Sequence, residues 1–114
     1  MVVNNNLQAL PIDENYSKLQ GTYRSLSSGT GTVTTSGTAV QIKNTPTQAK
    51  VIDIINPTSN GDVIVIGASN VSYASNIGIP IEPGFTYRLQ VTDLSLIWVD
   101  AAANGYKFQY NYMY

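Results

Sequence analysis

The chain has 114 residues, enough for one domain with a sizeable core and too few for two. Only 11% of its residues are charged and the formal net charge is −1, so no basic field exists to neutralise phosphates, which argues against nucleic acid as a partner. Cysteine and histidine are both missing, and with them go disulfides, thiolate chemistry and the commonest general bases and metal ligands.

The opening residues, MVVNNNLQALPIDENY, lack the basic start and apolar run of a signal peptide, and no stretch reaches the length that spans a bilayer. These features predict a soluble chain made inside the cell, with no membrane partner. Residues 1 to 30 read as an arm and linker. Leu7, Leu10, Ile12 and Tyr16 are scattered among Asn, Gln and Pro11, and they form no complete face of a helix or strand. A helical turn over residues 13 to 20, capped by Asp13, is too short to stand alone. The four apolar residues are therefore expected to pack on a neighbouring subunit. From Thr22 to Thr38, 13 of 17 residues are Ser, Thr or Gly, which predicts a loop leading into a thin first strand near Thr32 to Thr35.

Beyond residue 30 the pattern is β throughout. Ala39–Ile42 predicts a short strand, and Ala49–Asn56 a longer one rich in β-branched residues. The segment NPTSNG follows, and its Asn60-Gly61 suits the positive φ of a tight turn, so residues 50 to 66 are expected to form a hairpin with Asp62–Gly67 as its return strand. Gly78, Pro80, Pro83 and Gly84 confine the next stretch to loop with a short edge strand. Phe85–Val91 alternates apolar and polar residues, while Ser95–Asp100 is apolar on both parities, as in a strand covered on both sides. Asn104-Gly105 then turns the chain into YKFQYNYMY, and the last two strands are expected to pair as a second hairpin.

In that final stretch Tyr106, Phe108, Tyr110, Tyr112 and Tyr114 occupy every second position. Such alternation places five of the eleven aromatic residues on one face of one strand. Tyr106, Phe108 and Tyr110 are expected to be inside or half inside, with Tyr112 and Tyr114 at a rim where a hydroxyl meets water or a neighbouring subunit, which makes them candidate subunit contacts. Seven to eight short strands without a helical period predict an all-β fold, an antiparallel two-sheet sandwich or jelly roll over residues 31 to 114, carrying the extended N-terminal arm.

The candidates for chemistry are weak. The seven acids are scattered, and Asp62, Asp93 and Asp100 stand at strand ends where turn residues belong, so neither a paired-carboxylate site nor a calcium loop is signalled. No phosphate-cradling motif accompanies the glycines. Trp98 beside the tyrosine row would make a sugar-stacking platform if exposed, although its place in the most apolar strand favours the core. No catalytic set, metal site or cofactor is expected.

Four segments in order, GTVTTSGTAVQI at 31 to 42, VIDIINPTSNGDVIVIGASNVS at 51 to 72, GIPIEPG at 78 to 84 and DLSLIWVDAAANGYKFQYNY at 93 to 112, resemble a small β-sandwich module of tailed-bacteriophage virion proteins. The resemblance implies a capsid decoration or cement protein on the virion exterior, made in the bacterial host cytoplasm and binding the major capsid protein. It also implies a homo-oligomer, with a trimer favoured by capsid symmetry. A tail, baseplate or fibre component and a carbohydrate-binding module are the alternatives.

Overall fold

A computed structural model describes residues 25 to 114. The four apolar residues of the arm, Leu7, Leu10, Ile12 and Tyr16, and the helical turn expected at residues 13 to 20 lie outside the described residues. The strands are β1 (Leu26–Val33), β2 (Val40–Gln41), β3 (Val51–Ile55), β4 (Ile64–Gly67), β5 (Ile79–Ile81), β6 (Thr86–Gln90), β7 (Trp98–Ala101) and β8 (Tyr106–Met113), with a 3-10 turn at Leu94–Leu96. They form two four-stranded antiparallel sheets, in the orders β1-β8-β3-β6 and β2-β7-β4-β5. The domain is a sandwich, as the alternation and turn spacing predict.

Each sheet contributes one apolar face. From the first come Ile52, Ile54, Phe108 and Tyr110, and from the second Ile64, Ile66, Ile81, Val99 and Ala101, all part of one buried cluster. The period of two explains the selection. Asp53 and Ile55 alternate with Ile52 and Ile54, while Lys107 and Gln109 alternate with Phe108 and Tyr110. In β8 the row runs as expected: Phe108 and Tyr110 are buried, and Tyr106, Tyr112 and Tyr114 are half-buried. β8 is also a central strand, lying between β1 and β3.

Both expected hairpins are corrected. β3 pairs with β6 and β8, whereas β4 pairs with β5 and β7, so residues 50 to 66 cross from one sheet to the other. The same holds for β7 and β8, which also lie in different sheets. Asn60 and Gly61 are not among the described residues with positive φ, so the two-residue hairpin turn that Asn-Gly favours is not formed. Asn60 is used differently: its side chain donates to the Lys107 carbonyl in β8 and accepts from the Lys107 N–H. Asn56, fully buried, donates to the carbonyls of Asp62 and Ile81 and accepts from the Asn60 side chain. Two buried amides thus hold an arch in place by satisfying the backbone groups it turns inward.

Three smaller expectations also change. β1 begins at Leu26 rather than near Thr32, because its Ser/Thr/Gly residues are supported by β8 along their whole length. The stretch Ser95–Asp100 is not one strand. Asp93 accepts from the Ser95 N–H and Oγ and caps the 3-10 turn, and β7 starts after it. That register points Ile97 and Val99 into the core and sets Trp98 on the other face, half-buried, so Trp98 is not a core residue.

Candidate assembly surface

Three carboxylates serve the fold. Asp100 is fully buried on the outer face of β7, with Oδ1 accepting from the Gly37 N–H at 2.9 Å and Oδ2 from the Tyr73 N–H at 2.9 Å, so it ties two loops down over that face. Asp93 also accepts from the Thr47 N–H. Backbone donors at Thr47 and Ser95, then the Ser95 hydroxyl, hold its carboxyl below the usual carboxylate range. Asp53 forms a two-point ion pair with Arg88 on the neighbouring strand at 2.7 and 2.8 Å, and this hydrogen bonding, ahead of the charge attraction, lowers its pKa. Among the described residues no three of His, Cys, Asp and Glu gather where they could hold a metal ion. No helix among them is long and apolar enough to cross a membrane.

The aromatic row shapes one side of the molecule. β1 lies beside β8 with Gly29 opposite Tyr110 and Gly31 opposite Phe108. A Cβ built on Gly29 would sit 2.5 Å from the Tyr110 hydroxyl, and one on Gly31 2.7 Å from Phe108 Cε1, so the rings lean across the β1 backbone. At the end of the row Tyr112 stacks on Tyr110 with ring centres 6.2 Å apart, and Tyr114 on Tyr112 at 5.7 Å. The Tyr114 hydroxyl is lowered in pKa by hydrogen bonds to the side chains of Ser25 and Ser27. Ser25 and Tyr114 also exchange both backbone hydrogen bonds, so the chain enters the described fold against this rim. Tyr112 and Tyr114, the two rim residues predicted from sequence, are brought together here.

A second feature has no signature in the sequence. Ile66, Ile79, Leu89, Val91, Leu96 and Ile97 line an apolar groove of about 230 Å³ where the sheets part between β5 and β6. Leu96 at 59% exposure stands at its lip, placed there by the 3-10 turn that interrupts the expected strand. The groove and the tyrosine rim share one end of the sandwich. Ser25, Tyr114, Lys50 and Val91 are linked across the sheet through backbone bonds and register.

No family model matches this sequence, and no curated protein matches it. A solved structure from work on Bacillus endospore appendages, described there as a novel family of disulfide-linked pili, is similar over 78% of this chain and 87% of that one, at 15% identity and a TM-score of 0.40. At that distance the likeness assigns no role, and the disulfide linkage has no counterpart in a sequence without cysteine. The expectation of a phage virion module is nevertheless corrected, since the structural match is to a bacterial appendage protein. With it fall the major capsid protein as partner, the capsid-bound trimer, the virion exterior as location, and the tail, baseplate and fibre alternatives. The motifs that carried the resemblance explain the error. Asn56 of the NP turn is a buried staple, and Gly78 in GIPIEPG is the point where the loop closes on β4, with a Cβ there 2.8 Å from the Ile66 carbonyl oxygen. Such residues specify arches and corners of a sandwich and carry no information about what the sandwich binds. The sugar platform is not assembled either. Trp98 is on the outer face of one sheet and the tyrosine row on the inner face of the other.

Proposed function

We propose that this protein is a non-catalytic structural building block that works by binding protein neighbours. The observation that carries this reading is that a continuous core forms between Val33 and Tyr110 while Asp93, Asp100 and Asp53 are committed to capping, loop anchoring and ion pairing. Leu7, Leu10, Ile12 and Tyr16 are then apolar side chains available to a neighbouring subunit, and Tyr112 and Tyr114 form the rim beside which the arm joins the fold. An arm of this kind adds interface area without enlarging the domain.

Deletion of residues 1 to 24 tests it. The truncated chain should melt cooperatively, with far-ultraviolet circular dichroism of the same β type, and should sediment as a smaller species than the full chain. Equal sedimentation of the two chains would overturn the assembly role of the arm. Loss of folding would move Leu7, Leu10, Ile12 and Tyr16 into the domain's own core.

A further inference from the structure

Open sheet edges are where strands add, and natural folds block them with short strands, proline or charge. Three of the four edges here are blocked. β2 has two residues, β5 has three including Pro80, and β6 presents Arg88 with its side chain 62% exposed. The fourth, β1, is eight residues long with an unbroken register to β8, and its sequence LSSGTGTV contains neither proline nor charge. No charged residue occurs from Ser25 to Ile42.

The direction of its free groups follows from one pair. Ser25 and Tyr114 exchange both backbone bonds, so antiparallel alternation turns Ser27, Gly29 and Gly31 toward β8, and Leu26, Ser28, Thr30 and Thr32 outward. Among the described residues nothing pairs with that outer side. From within, the strand is backed by aromatic rings, since those of Phe108 and Tyr110 lie over Gly31 and Gly29. Leu26, at the start of the edge, is 66% exposed.

We propose that the β1 edge is an interface between two copies of this chain, formed by antiparallel strand addition about a two-fold axis at Gly29. In that register Ser28 faces Thr30 of the second copy and Leu26 faces its Thr32, so about eight backbone hydrogen bonds satisfy every outward group on both strands. The side chains suit each other: hydroxyl meets hydroxyl, and the exposed Leu26 meets a threonine methyl. The occupant is a second copy because the edge is self-complementary and uncharged, and a two-fold contact closes on itself without leaving a new edge of the same kind. This contact goes beyond the proposed role of the arm and does not depend on it.

Hydrogen exchange on the full chain, followed by mass spectrometry or NMR across a concentration series, reads the alternation directly. The amides of Leu26, Ser28, Thr30 and Thr32 should gain protection with rising concentration, while those of Ser27, Gly29 and Gly31 stay protected throughout. A charged double variant, S28K/T30K, places lysine opposite lysine on exposed positions and should raise the self-dissociation constant about a hundredfold without changing the melt by more than a few degrees. Mixing it with S28E/T30E should restore pairing, now as a heterodimer. The two-fold β1 contact is overturned by protection that is independent of concentration, which would mean the chain's own N-terminal segment covers β1. It is overturned equally by concentration-dependent protection at Thr86 and Arg88, or by failure of the mixed variants to pair. A residues 1 to 24 deletion that still shows the alternating protection separates this contact from any failure of the arm.

Discussion

Gly31 and Phe108 face each other across the β1–β8 pair, and the ring fills the space that a side chain at 31 would need. Phe108 is only 1% exposed and has nowhere to retreat. Gly31→Ala is therefore expected to cost about 1–3 kcal/mol through overpacking, whereas Thr30→Ala, on the exposed face next door, should stay within about 0.5 kcal/mol. Urea denaturation of the two variants checks the contrast. Asn56 poses the opposite problem: Asn56→Ala leaves the carbonyls of Asp62 and Ile81 and one Asn60 donor without their partner, two of the three bonds being buried, and should lower stability by about 3 kcal/mol. Charge matters at the acid end. Asp93 and Asp53 both titrate below 3.8 in the fold, so the stability they contribute is fully present above the unfolded value and is lost as pH falls through the lowered ones. A stability profile should be level above about pH 5 and decline below pH 4, and Asp93→Asn should make that decline shallower. The share of Asp53 is reduced by solvent screening, because its Arg88 partner is mostly in water.

The strands themselves were legible because burial on one face imposes a period of two, and β3, β4, β6 and β8 lie where the alternation or the β-branched runs place them. Their pairing was not legible. A short Asn-Gly connection looks the same whether it reverses a hairpin or carries an arch to the opposite sheet, and only the tertiary partners of Asn56 and Asn60 decide between the two. Trp98 was misplaced for a related reason. The 3-10 turn ahead of β7 sets the parity of the strand, and its cap, Asp93, is not distinguishable in the sequence from an ordinary turn aspartate. Of the candidate contact residues, the half-buried rim of Tyr112 and Tyr114 follows from a row that outlasts the core, while the groove beside Leu96 required the fold to be seen. β8 is the element on which most depends, since it hydrogen-bonds to two strands and brings Phe108 and Tyr110 inward. Deleting residues 106 to 114 removes aromatic side chains worth about 3 kcal/mol or more each and splits the first sheet, so the product should show no cooperative melt at all.

For the molecule as a whole, the strand order has a consequence in time. β1 and β8 are neighbours although they stand at opposite ends of the described chain, and β3 finds its partners only in β6 and β8. Within the first sheet no strand can pair with the one made just before or after it, so loop-closure entropy must be met before any of its contacts form. Refolding from denaturant should accordingly take milliseconds to seconds rather than microseconds, which stopped-flow tryptophan fluorescence at Trp98 can time. On the ribosome the same order means that β1, though synthesised early, waits without its partner until Tyr106–Met113 has emerged. During that interval its neutral, proline-free backbone is open on both sides, and two nascent chains from one polysome could meet there first. A pairing that serves the finished protein would then also be the first hazard of its synthesis, and the glycines and hydroxyls of LSSGTGTV, with so little apolar surface, keep such an early encounter reversible.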